Sequence, residues 1–242
     1  MKRNQANEII KEVREQYNSM TKEWDISRQV FSSLKEKQLK RFRKCKNILD
    51  LGCGNGLVTG EILQYGVKYY GLDISKELIK IARRKYSAEI KNKEANFLVG
   101  DACKKLPYKN NFFDGVISFA VLHHVPGEEK RLRFLDEVKR VLKPGGQASV
   151  IVWNLFNNWP KKRFGIEEQV KNPKLGLDKN DFLVSWRATP GKEVKRYIHS
   201  FTDKELKELA RAVGFDKITV GYYNRAGEKS VNGEEIVVNL IK

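Results

Sequence analysis

Three glycines at alternating positions, Gly52, Gly54 and Gly56, follow the apolar run Ile48-Leu49-Asp50-Leu51. A second apolar run, Tyr69-Tyr70-Gly71-Leu72, ends in Asp73, nineteen residues after Gly54. Glycine in such a loop lets the backbone approach a ligand closely and take positive φ. An acid at the tip of the next strand can accept hydrogen bonds from both hydroxyls of a ribose. This spacing therefore serves the binding of a nucleoside cofactor at the edge of a doubly wound sheet. Asp101 closes a third apolar run, Asn96–Gly100, and His123-His124 follow a fourth, Phe112–Phe119. A dinucleotide fingerprint would need glycine at position 57, where the chain has Leu57.

The elements that must position these residues can be read from hydrophobic period. Two N-terminal helices, over 5–20 and 26–44, flank a loop carrying Trp24 and Arg28. Strands are expected at Lys46–Leu51, Lys68–Asp73, Asn96–Gly100, Phe112–Phe119 and Gln147–Trp153. Helices separate them at Leu57–Tyr65, from a Ser75 cap to Tyr86, and at Glu128–Leu142, the last stopped by Lys143-Pro144-Gly145-Gly146. Residues 154–200 hold Pro160, Pro173 and Pro190 without a clean period, and predict a loop-rich insertion with one short helix near Ile166–Val170. A helix capped by Thr202, with Glu205 completing a capping box, precedes two strands at Lys217–Tyr223 and Glu234–Ile241. The sum is one α/β domain with a Rossmann-like, seven-stranded mixed sheet and helices on both faces. Its parts are N-terminal helices (1–45), a cofactor core (46–153), a basic insertion (154–200) and a closing helix and hairpin (201–242).

With 242 residues and 40% hydrophobic content, a full core is expected. No run approaches the ~20 apolar residues of a membrane span, and the N-terminus lacks the apolar stretch of a signal peptide. The chain reads as cytoplasmic and not membrane-bound. Three scattered cysteines without a Cys-x-x-Cys pair argue against a disulfide framework or a metal site. The net charge of +17 is concentrated in residues 1–47 (+7) and 154–200 (+5), outside the cofactor core. That asymmetry points to a polyanionic partner, with nucleic acid first.

The order of elements, with Asp50-Leu-Gly-Cys-Gly-Asn-Gly56, Asp73, Asp101-Ala102 and Leu142-Lys-Pro-Gly-Gly146, resembles the class I S-adenosylmethionine-dependent methyltransferases. Further pieces are similar to the tRNA wobble-uridine carboxymethyl methyltransferases. These are Tyr17-Asn18, Ser27-Arg28, Ser118-Phe-Ala-Val-Leu-His-His-Val125, Lys130-Arg131, Val152-Trp153, Asp181-Phe-Leu-Val-Ser-Trp186 and Arg196-Tyr-Ile-His-Ser-Phe201.

The resemblance implies S-adenosyl-L-methionine as cofactor and tRNA as substrate, with the carboxylate of 5-carboxymethyluridine converted to its methyl ester. It assigns cofactor contacts to Arg28, Asp50, Gly52, Cys53, Gly54, Asp73, Ile74, Asp101, Ala102 and Ser118. Asp73 would hold the ribose, Asp101 the adenine amino group, and Arg28 the cofactor carboxylate. The Gly52–Gly56 amides would lie at a helix N-terminus. His124 would donate to the acceptor base, Arg131 would orient its carboxylate, and Trp153 would form an aromatic wall, while His123 packs inward. Lys161, Lys162, Arg163, Trp186, Arg187, Arg196 and His199 would contact tRNA. It also implies a small zinc-binding activator protein, and the apolar strand Asn96–Gly100, expected at the sheet edge, is where one could pair. Two other readings compete: a small-molecule methyltransferase acting on a quinone-like acceptor, and a nucleic-acid-binding scaffold with a vestigial cofactor site.

Overall fold

The computed structural model describes residues 1–27, 32–174, 176–189 and 192–242, with the backbone alone at 27, 187–189, 192 and 193. Arg28 and the Arg187 side chain lie outside the described residues. The chain opens with helices α1 (Arg3–Ser19), α2 (Thr21–Ser27) and α3 (Ser33–Leu39). The single helix expected over 26–44 is broken, because Ser32 caps a new one by accepting from Lys35 N. Trp24 sits within α2 and not in a loop.

The core then alternates β1 (Asn47–Leu51), α4 (Thr59–Leu63), β2 (Lys68–Asp73), α5 (Lys76–Lys85), α6 (Ser87–Lys91), β3 (Ala95–Val99), β4 (Phe113–Phe119), α7 (Glu128–Val141) and β5 (Leu142–Trp153). The insertion contributes α8 (Asn158–Arg163), α9 (Ile166–Lys171), β6 (Asp181–Thr189) and β7 (Lys192–His199). The chain closes with α10 (Asp203–Val213), β8 (Lys217–Tyr223), β9 (Lys229–Ser230) and β10 (Glu235–Ile241).

The main sheet has eight strands in the order β3-β2-β1-β4-β5-β10-β8-β9, one more than expected, the addition being the two-residue β9 at one edge. Strands β1 to β5 are parallel, and β10 runs antiparallel between β5 and β8. Neighbouring residues of one strand serve opposite faces. Leu49 and Leu51 join Phe134 and Val138 of α7 and Leu206 of α10, whereas Ile48 joins Ile79 of α5, Ile62 of α4 and Phe42. Both faces are covered, which is why β1 reads as a continuous apolar run. The Lys143–Gly146 stop is built as a bulge inside β5: Phe113 pairs with Leu142, but Gly115 pairs with Gln147.

The loop-rich insertion was expected to hold one short helix; it holds two and a β-hairpin. Phe182, Val184 and Ile198 pack with Leu155 and Ile166, while Leu183 and Tyr197 pack with Ile9, Val13 and Tyr17 of α1. With apolar residues on both faces, β6 shows no period of two. Gln169 of α9 covers the edge of β6 by pairing with both the N–H and the carbonyl of Leu183.

A buried charge network seats this hairpin on the core. Asp181 Oδ1 accepts from Tyr197 Oη (2.7 Å), lies 2.6 Å from His199 Nδ1 and 3.3 Å from Arg131 Nη2. Glu205 Oε1 lies 2.8 Å from His199 Nε2 and 3.6 Å from Arg131 Nη1. Glu205 thus turns toward His199, and Thr202 caps α10 through Glu205 N. Arg131 also donates to the Val125 carbonyl and is 3% exposed. Removing one partner of such a cluster leaves uncompensated buried charge, at a cost of about 3–5 kcal/mol. Arg131→Ala should lose about that much in urea-unfolding free energy; stability within experimental error of the native chain would show that the network does not hold the hairpin.

Candidate functional site

A cavity at the carboxyl ends of β1, β2 and β4 encloses about 1300 Å³, its open mouth included. This is where an open parallel sheet binds ligands. Gly52 turns out of β1 with φ 88°, and a Cβ there would lie 2.2 Å from Val121 Cγ2. The loop is pinned from below: Gly52 N and Cys53 N both donate to the Leu72 carbonyl, and Gly54 N donates to Asp73 Oδ2 (2.9 Å). Ser75 N donates to the other Asp73 oxygen (2.8 Å). The Gly52–Gly56 amides are not at a helix N-terminus as expected, since α4 begins only at Thr59.

Asp50, Gly52, Cys53, Gly54, Asp73, Ile74, Asp101 and Ala102 all line this cavity. Ser118 does not. Its hydroxyl is fully buried and donates to the Leu51 carbonyl, tying β4 to β1. A carboxylate offers about four acceptor positions, so Asp73 keeps two after its backbone bonds and can take both hydroxyls of a ribose. Burial holds the Asp73 carboxyl above its usual range, opposed by the Ser75 and Gly54 amides. The wall residues therefore fit the nucleoside cofactor implied by the sequence. The N-terminal helices close the same space: Asn55 donates to Asp25, and Asn18 accepts from Ser75 Oγ and so ties α1 to the start of α5.

Beyond the loop, the cavity continues to Trp153, His123, His124 and Arg196. His124 Nδ1 lies 2.8 Å from the Tyr197 carbonyl and must donate to it, so Nε2 accepts from Tyr17 Oη at 2.9 Å. Burial, then the charge of Arg196, pushes this imidazole down to about 3, against the pull of the Tyr197 carbonyl. His124 is neutral with both nitrogens committed, which leaves no free N–H for the donor role expected of it toward a base. His123 both packs against Trp153 and faces the cavity, its Nδ1 accepting from Trp153 N.

Among the described residues, Arg196, and not Arg131, is the arginine of the cavity. Arg131 does not reach the cavity and belongs to the charge network behind it. Arg196, expected on tRNA, is 2% exposed, lines the cavity and lies between the rings of Trp153 (5.4 Å) and Trp186 (5.8 Å). Trp186 stands behind Arg196 and Trp24 and is not itself a wall. His199, also expected on tRNA, is sealed between Asp181 and Glu205. Lys161, Lys162 and Arg163 lie on α8, where Arg163 and Arg225 both stack on the half-exposed Trp159, at 5.5 and 4.8 Å. Tyr17, Trp24, Lys35 and Glu235 line the cavity without having been expected there. Tyr17 was visible only as part of a motif. Glu235 arrives because β10 pairs it opposite Trp153.

Burial raises the Asp50 carboxyl to about 7, with Tyr69 Oη donating to it at 2.6 Å and the charge of Asp73 adding to the rise. The unfolded chain releases that proton near ~4. The stability from protonated Asp50 is therefore complete below ~4 and is lost as pH rises through about 7. Asp50→Asn, neutral throughout, should gain in melting temperature relative to the native chain between pH 5 and pH 8; a constant difference would refute this. Gly52→Ala, which meets both positive φ and Val121, should abolish saturable binding of S-adenosylhomocysteine in calorimetry; undiminished affinity would mean the loop does not border the ligand.

A methyltransferase domain model matches residues 49–150. The tRNA (carboxymethyluridine(34)-5-O)-methyltransferase of Arabidopsis thaliana is 43% identical over 106 residues, 44% of this chain and 24% of that protein. The enzyme of the same name from Saccharomyces cerevisiae is 34% identical over 149 residues, 61% of this chain and 50% of that protein. The chain thus spans a quarter to half the length of these relatives. A SAM-dependent methyltransferase of Methanosarcina mazei superposes with a TM-score of 0.62 at 29% identity, covering 81% of this chain and 92% of its own. A methyltransferase in complex with the Haloferax volcanii Trm112 activator superposes with a TM-score of 0.67 over 95% of this chain and 96% of its own; at 17% identity it shows the fold alone. With the glycine loop, the strand-tip acids and the sheet order in place, the chain has the class I methyltransferase fold, with a methyltransferase domain matched over residues 49–150.

Proposed function

We propose that this enzyme methylates tRNA at the wobble position, converting the carboxylate of 5-carboxymethyluridine to its methyl ester. The observation that carries this reading is the continuity of the cofactor cavity with a chamber walled by Trp153, His124 and Arg196. The β6–β7 hairpin of the basic insertion supplies Arg196 to that chamber. Flipped-out bases are held by such stacking and edge contacts. The names of the two relatives support the same substrate.

Asp73 would hold the cofactor ribose, Asp101 the adenine, and Ala102 and Ile74 its ring. Held by these residues, the cofactor would supply a methyl group on a sulfonium, so that a carboxylate oxygen would gain the O–C bond as the S–C bond gave up its electrons to sulfur, with no proton moved. A carboxyl with pKa near ~4 is ionised at neutral pH, so no base is required. That suits a neutral His124 whose nitrogens are both engaged. The chain's contribution is then to hold two reactants in line and keep water out.

On the outer surface, Lys162 and Arg163 of α8, with Arg225 beside Trp159, would track the tRNA backbone. At the opposite edge of the sheet, β3 pairs only with β2 among the described residues, and Val99 is half-exposed there. A small activator protein would add to this edge. The solved complex with the Trm112 activator supports an association of that kind for this fold.

Incubation with bulk tRNA and methyl-labelled cofactor, with and without the activator, tests the reading. Label should enter tRNA and be released by mild alkali, as an ester is. Alkali-stable label, or label only in small lipophilic molecules, would refute it. Lys162→Ala and Arg163→Ala should each lower the slope of log affinity against log salt by about 1.

A further inference from the structure

Arg196 is the anomaly of the cavity. Its guanidinium is buried to 2% exposure, yet Nε and Nη1 have no hydrogen-bond partner among the described residues. Buried guanidinium groups are ordinarily paired with a carboxylate. Two acids of this region are already taken: Asp181 of the hairpin by Tyr197, His199 and Arg131, and Glu205 of α10 by His199 and Arg131. What surrounds the cation is two indole rings, Trp153 and Trp186, and the imidazole of His124 beyond. The ring faces compensate part of the lost hydration but accept no N–H bond. Glu235, Asp101, Asp73, Asp50 and Lys35 are the other charged residues of the cavity wall.

We propose that Arg196 is the anion-recognition residue of the acceptor chamber, taking a carboxylate borne by the acceptor and selecting the free acid over its amide and its ester. This rests on the tRNA reading for the identity of the acceptor and on Arg196 alone for its charge. Nε and Nη1 have no partner among the described residues, and such a desolvated guanidinium matches a carboxylate in planar, two-bond fashion, through Nη1 with Nη2 or through Nε with Nη2. A neutral amide or ester would leave the cation unpaired in a dry site, and that is a penalty rather than a weaker gain. The same logic releases the product, since esterification removes the negative charge that Arg196 holds. Because that charge fades as the O–C bond forms, the ion pair is strongest before transfer. It therefore acts on KM more than on kcat, the opposite of an oxyanion hole.

A carboxylate could come from the acceptor base or from the methyl donor's own amino-acid end, and a tRNA phosphate offers similar chemistry. Anticodon stem-loops carrying 5-carboxymethyluridine or 5-carbamoylmethyluridine, titrated onto protein saturated with S-adenosylhomocysteine and activator, separate these. The native chain should favour the acid by ~10–100-fold. Arg196→Met should bring the two stem-loops to within about threefold, raise KM at least tenfold with a smaller fall in kcat, and leave S-adenosylhomocysteine affinity within about threefold. Arg196→Lys should recover part of the preference. A preference that survives in Arg196→Met, equal weakening of both stem-loops, or parallel loss of S-adenosylhomocysteine affinity would each overturn the proposal.

A further measurement needs neither tRNA nor a variant. Acetate, but not acetamide, should produce a saturable change in the fluorescence of the indoles flanking Arg196; identical responses would refute the site. Should acetate bind while no tRNA is methylated, the anion site stands and the tRNA reading falls.

Discussion

Asp181 holds the acceptor side of the molecule together. It is the carboxylate shared by Tyr197, His199 and Arg131, and through them it fastens a hairpin of the insertion to α7 and α10 of the core. Two further polar contacts hold β7 above the cavity: His124 Nδ1 donates to the Tyr197 carbonyl and Gln16 Nε2 to the Lys195 carbonyl. The neighbouring Tyr197 carries the effect inward. Its hydroxyl belongs to the cluster, while its carbonyl sets the tautomer of His124, and the residue before it is Arg196. A buried ionic cluster is a costly device compared with apolar packing. Its return here is directional, because hydrogen bonds hold one register of β7, and the register decides whether Arg196 or a neighbour faces the chamber.

The donor side depends on a different constraint. Asp73 ties the end of β2 to the glycine loop through Gly54 N and to the start of α5 through Ser75 N. The same carboxylate that would receive a ribose thus shapes the loop beneath it. Desolvation of Asp50 and Asp73 side by side is the electrostatic cost of this arrangement, and it is visible as raised carboxyl pKa values at both. A cationic sulfonium donor is suited to a wall with this excess of acids.

The cavity wall carries Asp50, Asp73 and Asp101 toward the glycine loop and the Arg196 guanidinium toward the hairpin, where Glu235 also lies, paired opposite Trp153. Such an arrangement favours a cation at one end and an anion at the other, which is the charge pattern of a sulfonium reacting with a carboxylate. In the proposed reaction transfer would remove both charges, so the products would leave a site organised for charged reactants. The N-terminal helices take part as well: Tyr17 reaches His124, and Trp24 stands between the loop and Trp186.

The donor half was legible from sequence because its signals are local. An apolar strand, glycines at a turn and an acid at the next strand tip lie within thirty residues, and each has its own physical reason. The positions of most core strands followed from hydrophobic period, and the Ser75 and Thr202 caps from residue type. The acceptor half was not legible, since its residues come from segments far apart and no period marks them. The hairpin is apolar on both faces, which hid it as a loop, and Glu205 looked like half of a capping box although its carboxylate serves His199. Above all, sequence shows that two arginines exist but not which one meets a carboxylate of its own. Arg131 found Asp181 and Glu205 across the fold; Arg196 found only rings. Local spacing determined the glycine loop and its strand-tip acids, and long-range pairing of buried charges decided which cation was left at the cavity wall.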